Sequence, residues 1–277
     1  MASGIRKRVV PGFGLSLGLT LAYTGVMVLI PMASLVFQSS SLGWSEFWAA
    51  VTDPRILASY RVSFVCSFVA ACINAVFGLL LAWVLVRYRF PGRRILDGLI
   101  ELPFALPTAV AGISLTALYS NKGFLGKPLE DIGIKVAYTQ VGIIIALTFI
   151  GLPFIVRAVQ PVLEEMDSCY EEAALILGAS RTRVFFTVIL PEILPAALTG
   201  FGLAFGRGLG EYGSVIFIAG NMPYKTEIAP LLIMTKLEQF NYDEATAVAL
   251  VMLVASFAVM FLVNCVQSRK LRYLGHD

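Results

Sequence analysis

The stretch Glu172–Pro191 reads EAALILGASRTRVFFTVILP and places charged and polar residues between two long apolar parts of the chain. Gly178 can adopt the left-handed conformation that ends a helix, and Ser180 can cap a second helix that follows. Upstream, Pro161 can open the first helix, because a proline lacks the N–H that would have no partner there. The sequence therefore predicts a short helical hairpin over residues 161–191.

The small residues of this hairpin leave room for another protein. Ala173 and Ala174 lie beside Glu172, and their short side chains leave a surface into which the side chains of a partner could fit. Pro191 follows Leu190 and limits the second helix. On spacing alone, an ordinary amphipathic hairpin without a partner is the alternative interpretation.

The composition is that of a membrane protein. Of the 277 residues, 58% are hydrophobic and 14% are charged, whereas soluble domains carry about 25% charged residues. A sixth apolar segment, residues 193–224, is interrupted by Arg207 and Glu211. Five other segments contain no Asp, Glu, Lys or Arg, and each is long enough to cross about 30 Å of hydrocarbon as a helix: residues 9–45, 62–86, 102–121, 136–156 and 245–268.

These segments predict an all-α polytopic membrane protein with six transmembrane helices. They occupy most of the chain, so we expect one transmembrane domain over residues 1–277 and no separate soluble domain. The expected spans cover about residues 13–36, 62–86, 99–119, 137–156, 195–219 and 243–266.

The basic residues indicate how the spans are oriented. If the N-terminus lies in the cytoplasm, thirteen Lys and Arg fall in inner segments and seven in outer loops, which favours a multi-pass protein of the inner (plasma) membrane with both termini cytoplasmic. Each basic cluster abuts a span, so we expect no nucleic-acid binding. The inner set is Arg6, Lys7, Arg8, Arg87, Arg89, Arg93, Arg94, Arg157, Arg181, Arg183, Arg269, Lys270 and Arg272. The outer set is Arg55, Arg61, Lys122, Lys127, Lys135, Lys225 and Lys236.

The sequence contains no motif for catalysis, metal binding or nucleotide binding. Its four cysteines have no CxxC or Cys/His spacing, and His276 is its single histidine. We therefore expect no disulfide, no metal site and no catalytic residue in this chain. Because no GxxxxGK[ST] pattern is present, the chain does not bind ATP through a P-loop.

Two prolines mark the beginning of the third span as a candidate pore element. Pro103 and Pro107 are four residues apart, and each removes a backbone donor, which disfavours a straight helix. Carbonyl groups freed at that depth must face protein or water and not lipid. One interpretation is a bent segment that lines the pore near its inner mouth, and the alternative is a kinked helix start without a function.

The fifth span carries the second set of candidate pore residues. Arg207 and Glu211 are four residues apart and therefore share one face of a helix. A charge at the bilayer centre costs at least about 2.5–3.5 kcal/mol, so both side chains should face the bundle interior and have partners. Gly210 and Gly213 loosen the helix at this point. The pair could line or gate a solute path, or it could be a buried ion pair that only fixes packing.

Three classes of function remain open on these features. An ATP-driven importer would use the hairpin to receive force from a separate ATPase. An ATP-independent channel or carrier is the second class; a carrier would show repeated halves with matching broken helices, and the sequence shows none. An intramembrane enzyme needs a nucleophile and base or a metal, and Glu211 alone is insufficient. The spacing of the hairpin residues alone leaves the importer and the alternatives open.

The hairpin resembles the EAA loop of ABC importer permeases, which docks into a cleft of the ATPase subunit. That pattern is Glu-Ala-Ala, three residues, Gly, nine residues, Ile, one residue, Leu-Pro. This chain departs from it at one position, where Val188 replaces Ile. The matching residues, which the resemblance implies to be coupling residues, are Glu172, Ala173, Ala174, Gly178, Leu190 and Pro191.

The resemblance extends over nearly the whole chain. Four stretches are similar to permeases of the sulfate/thiosulfate importer, and most similar to the first of its two paralogous membrane subunits; they are residues 88–93, 102–112, 156–165 and 209–221. Permeases of molybdate and tungstate importers share the proline-rich and Gly-Glu elements, so a related oxyanion is the alternative substrate.

The resemblance also implies an assembly. Permeases of this kind pair with a paralogous second permease subunit, with two copies of a cytoplasmic ATPase that binds the ATP, and with an external sulfate-binding protein. This chain would then form half of the translocation pore in the lipid bilayer and would hold no cofactor of its own.

Overall fold

The computed structural model describes the backbone of residues 13–274 and the side chains of residues 13–265. Within these bounds the chain forms helices and contains no strand. The helices are α1 Phe13–Ser39, α2 Trp44–Val51, α3 Pro54–Arg87, α4 Arg93–Ala105, α5 Thr108–Tyr119, α6 Gly126–Asp131, α7 Gln140–Glu165, α8 Ser168–Ile176, α9 Arg181–Leu209, α10 Val215–Ile218, α11 Ala229–Glu238 and α12 Tyr242–Leu274.

Among the described residues, five helices are long and apolar enough to cross a membrane: α1, α3, α7, α9 and α12. The count is six if the pair α4 and α5 is taken as one broken span, and the axes of these two helices are bent by 113° at a short break. The sequence predicts a bend here from two prolines, and the structure places one of them inside α4 and the other at the N-cap of α5. The third span is therefore broken and is not one helix over residues 99–119.

Several helices extend beyond the spans that the sequence predicts. α3 begins at Pro54, where the carboxylate of Asp53 accepts hydrogen bonds from the backbone N–H groups of Arg55 and Ile56 at 2.8 and 3.4 Å. This cap and the proline at the first helical position together fix the start of the helix. The prediction that Pro161 opens the hairpin is wrong, because α7 continues through it to Glu165.

Three helices, α3, α7 and α9, pack together as the centre of the bundle. They approach closely because glycines face Ile155 of α7 from both sides. A Cβ atom added at Gly78 of α3 would lie 2.8 Å from the Ile155 side chain, and one added at Gly200 of α9 would lie 2.8 Å from its Cα. Such small residues let helix backbones come together where lipid provides no hydrophobic driving force.

Two glycines of α9 pack against α12. A Cβ atom at Gly202 would lie 3.0 Å from the Val263 side chain, and one at Gly206 would lie 3.5 Å from the sulfur of Met260. At Gly210, one turn further along, an added Cβ atom would have no atom of the described part of the chain within 4 Å. The close contact between α9 and α12 therefore ends just where α9 itself ends.

Candidate functional site

The hairpin lies at one end of the bundle, and its first helix is α8. Asp167 caps this helix, because its carboxylate accepts a hydrogen bond from the N–H of Cys169 at 2.9 Å. Glu171 lies in the first turn, where a carboxylate suits the positive end of a helix. The hairpin therefore begins after Glu165, and the cap of its first helix is Asp167 rather than Pro161.

The turn of the hairpin forms as the sequence predicts. Gly178 has φ +85°, the left-handed conformation that glycine adopts without steric cost. The N–H of Ala179 donates to the carbonyl of Ala174 at 3.1 Å, and the N–H of Gly178 donates to that of Leu175 at 3.0 Å. This pair of bonds is a Schellman motif. The hydroxyl of Ser180 then accepts a bond from the N–H of Arg183, so the predicted cap of the second helix is confirmed.

The hairpin exposes an apolar tip. Ile176 and Leu177 are 85% and 86% exposed, and Tyr170 is also exposed. Glu172 and Ala173 lie on the same exposed helix. Large apolar side chains gathered at a protruding tip are typical of a surface that another protein covers.

The other motif residues lie deeper, at the root of the hairpin. Ala174 is half-buried, as are Leu190 and Pro191, and both Ala174 and Leu190 pack against the main core cluster. The motif thus divides into exposed residues at the tip and half-buried residues that attach the tip to the bundle.

Pro191 does not end the second helix, which corrects the prediction that it limits this helix. α9 runs without interruption from Arg181 to Leu209, and the five residues Phe185–Ile189 just before the proline form a π turn. A proline in a regular α-helix clashes with the carbonyl four residues before it, and a wider turn is one way in which a helix accommodates such a disturbance. A single helix therefore joins the hairpin turn to the far part of the bundle.

The far end of α9 holds the predicted pair of charges. A guanidinium nitrogen of Arg207 lies 2.6 Å from a carboxylate oxygen of Glu211, and only 2% of the Glu211 side chain is exposed. The other carboxylate oxygen accepts bonds from both the N–H and the hydroxyl of Ser214, each at 3.0 Å. The ion pair forms, and Ser214 is a further partner. The prediction that the two residues share a helix face is wrong, because α9 ends at Leu209 and Glu211 lies beyond its cap.

The helix break beside this pair meets the break in the third span. Gly210 caps the end of α9. A Cβ atom added at Gly213 would lie 2.2 Å from the hydroxyl oxygen of Thr108, and Thr108 directly follows Pro107, the N-cap residue of α5. Pro103 lies four residues earlier, inside α4. The structure thus brings Pro107, Gly213 and Glu211 into one region, with Pro103 before the bend.

Arg207 also borders a cavity. The cavity has a volume of about 280 Å³ and lies between α9 and α12, where its wall includes Ser256, Phe257 and Met260. The Arg207 side chain is 39% exposed, in contrast to its buried partner Glu211. One charge of the pair is therefore held inside the protein while the other reaches an open space.

An ion pair next to the motif, between Arg87 and Glu171, could not be predicted from the sequence. The guanidinium of Arg87, the last residue of α3, contacts the carboxylate of Glu171. These residues are 84 positions apart, and no periodicity or motif in the sequence connects them. Among residues 13–265, no group of three or more His, Cys, Asp or Glu side chains is placed to hold a metal ion.

A bundle of helices long enough to span a membrane, with one bent helix pair beside its centre and an exposed helical hairpin at one end, is typical of a membrane permease. Residues 74–272 match the family model described as binding-protein-dependent transport system inner membrane component. The chain therefore belongs to the family of inner membrane components of binding-protein-dependent transport systems.

The comparisons with individual proteins extend over nearly the full length. The chain is 51% identical over 271 residues, 98% of each sequence, to the sulfate transport system permease protein CysT of Salmonella typhimurium. A chain of a bacterial ABC transporter involved in the import of the acidic polysaccharide alginate has a similar fold, with a TM-score of 0.77 at 16% identity over 93% of this chain and 96% of that chain. The alginate transporter in complex with a pentasaccharide-bound periplasmic protein gives a TM-score of 0.76 at 17% identity over 92% and 93%.

Proposed function

We propose that this chain is the transmembrane permease subunit of an ATP-driven importer of sulfate and thiosulfate. Sulfate is assigned as the substrate because the chain is 51% identical, over 98% of both sequences, to a sulfate transport system permease. The same observation favours sulfate over molybdate and tungstate, the oxyanions that the sequence motifs leave open. The multi-helix fold and the exposed hairpin support the transport role.

We propose that the hairpin couples the permease to a separate ATPase. The exposed apolar tip at Ile176 and Leu177 is typical of a surface that a partner protein covers. ATP would bind to the ATPase subunits, and this chain would hold no cofactor and catalyse no reaction. A paralogous second permease subunit, two ATPase copies and an external sulfate-binding protein would complete the assembly. The alginate transporter described in complex with a periplasmic protein has a related fold, which supports the last of these partners.

The pore of such a subunit needs few fixed charges. A sulfate dianion in transit must leave as readily as it enters, so a tight site in the membrane would slow its release, and the binding protein can provide selection. The region where the breaks at Pro107 and Gly213 meet is the candidate gate. Arg207 is paired with Glu211 beside this region, and its partial exposure to a cavity supports contact with an anion.

A transport assay tests the proposed substrate. The permease would be reconstituted in liposomes with its partner permease, its ATPase and its binding protein, and uptake of labelled sulfate, thiosulfate and molybdate would be compared. We expect ATP-dependent uptake of sulfate and thiosulfate that requires the binding protein. Uptake of molybdate with no uptake of sulfate would show that the assignment is wrong.

The proposed orientation has the hairpin and both termini in the cytoplasm. A cysteine introduced at Lys127 in the α6 region should then react with a membrane-impermeant thiol reagent added to intact cells. A cysteine at Arg93, where α4 begins, should react only after the inner face is opened. The background is set by a variant in which the native Cys72 and Cys169, both exposed, are replaced. The reverse labelling pattern would show that the proposed orientation is wrong.

A further inference from the structure

Glu171 and Glu172 are adjacent in the sequence but have different surroundings. Glu172 is exposed on α8, whereas the carboxylate of Glu171 contacts the guanidinium of Arg87 at the end of α3. The two side chains of this ion pair are only 22% and 23% exposed. Neighbouring residues on a helix point about 100° apart, so one carboxylate of α8 can face a partner while the other faces the bundle.

Aromatic and sulfur contacts hold Arg87 in place. Its guanidinium carbon lies 5.4 Å from the ring centroid of Trp83, one turn earlier in α3, which is within the range of a cation–π interaction. A guanidinium nitrogen is also 3.7 Å from the sulfur of Met166. The Trp83 ring in turn packs edge-on against Phe185 at 5.5 Å, and Phe185 is the first residue of the π turn of α9. The contacts therefore connect α8, α3 and α9 in one closed group.

A second arginine fastens the opposite end of α3. Arg55 donates to both carboxylate oxygens of Glu227, from Nε at 2.8 Å and from a terminal nitrogen at 2.7 Å. Glu227 is buried and lies in the segment between α10 and α11. Such a bidentate pair fixes geometry better than a single contact does. α3 is 34 residues long, about 50 Å as a helix, and is held by an ion pair at each end.

We propose that Arg87 and Glu171 form a clamp that carries displacement of the hairpin into α3 and, through α3, to the Arg55–Glu227 pair at the far end of the bundle. Both are positioning residues, since neither would contact the transported anion or the nucleotide. The hairpin is covalently connected to α7 through residues 166–167 and to α9 through its turn, and the clamp adds a third connection, to α3. This proposal rests on the proposed function, because it assumes that an ATPase moves the hairpin.

The test uses the reconstituted complex with its ATPase, second permease and binding protein. The variants are Glu171→Gln, which removes the charge at nearly constant shape, Arg87→Met, which keeps the apolar stem over Trp83, and Arg87→Lys, which keeps the charge. Matched controls are Glu165→Gln and Arg89→Met, because both residues are exposed at the same end of the bundle and neither is in an ion pair within the described part of the chain. Three quantities are measured: ATPase retained on purification, binding-protein-stimulated ATP hydrolysis and sulfate uptake.

We expect Glu171→Gln and Arg87→Met to retain the ATPase and to hydrolyse ATP at rates close to those of the unmodified complex, while sulfate uptake falls about tenfold. The ATP hydrolysed per sulfate then rises by the same factor. Arg87→Lys should recover part of the uptake, and the controls should leave the ratio unchanged. A variant that loses uptake because it folds poorly would be recognised by a lower yield of the permease itself.

Two results would overturn the clamp. One is an unchanged ratio of ATP to sulfate in both Glu171→Gln and Arg87→Met. The other is loss of the ATPase from both variants, which would mean that the pair only shapes the docking surface. Failure of the proposed function looks different, because the unmodified complex would then show no ATP-dependent sulfate uptake at all.

Discussion

Replacing Gly178 with leucine is expected to release the ATPase from a permease that still inserts into the membrane. Gly178 has φ +85°, and a side chain there costs about 1–2 kcal/mol. A free hairpin can relax into another turn, so docking must restore the strained one and binding weakens roughly tenfold. The leucine side chain would also enter the open space beside the turn, where no atom of the described residues lies within 4 Å, and it would clash with a docked partner.

The measurement is the amount of ATPase that co-purifies with the permease, together with sulfate uptake. Gly178→Ala separates strain from bulk and should show an intermediate loss. Gly92→Leu is a matched control, since Gly92 also has a positive φ, +87°, and open space around it, but belongs to another loop. Normal ATPase recovery and uptake with Gly178→Leu, or equal loss with Gly92→Leu, would remove the support for a specific docking turn.

Replacing either residue of the Arg207–Glu211 pair is expected to destabilise the complex, and replacing Arg207 is expected to destabilise it more than replacing Glu211. Arg207→Met leaves a carboxylate that is 2% exposed with only the Ser214 donors, and loss of one partner of a buried pair typically costs about 3–5 kcal/mol in soluble proteins. Glu211→Gln should cost less, because the remaining guanidinium is 39% exposed and already borders a cavity. The yield of assembled complex on size-exclusion chromatography and its thermal midpoint measure the difference.

The double variant Arg207→Met with Glu211→Gln distinguishes a gate from a packing pair. It leaves no uncompensated charge, and the amide oxygen of the introduced glutamine can still accept from Ser214, so we expect the complex to assemble normally. If Arg207 meets the anion or holds the gate, the assembled double variant loses sulfate uptake or lets preloaded sulfate leak out without ATP. Wild-type uptake kinetics without a leak would falsify the gate and leave the packing role.

Local signals in the sequence were sufficient for the hairpin turn and for the charge pair. Gly178, Ser180 and the i, i+4 spacing of Arg207 and Glu211 act within a few residues, so sequence reasoning finds them. The proline predictions were partly wrong, because a proline restricts a helix without dictating how the helix responds. α7 passes through Pro161, and α9 widens into a π turn before Pro191.

Contacts that depend on where helices end and how they pack could not be predicted. Ser214 reaches Glu211 because α9 ends at Gly210 and the chain turns back, and the 113° angle between α4 and α5 depends on what each half packs against. The ion pair between Arg87 and Glu171 cannot be predicted from the sequence, because it forms only where the bundle brings the end of α3 close to α8. The roles of the coupling and pore residues remain predictions.

The π turn at Phe185–Ile189 also changes the rotation about the helix axis between the hairpin end of α9 and its Arg207 end. Each residue of an α-helix adds about 100° of rotation, whereas the wider turn spreads its rotation over more residues. A one-residue deletion inside this turn could therefore be absorbed by a return to regular α geometry. The same deletion between Pro191 and Arg207 would rotate Arg207 by about 100° relative to the hairpin end of the helix. We therefore expect α9 to tolerate a one-residue deletion only within the π turn at Phe185–Ile189.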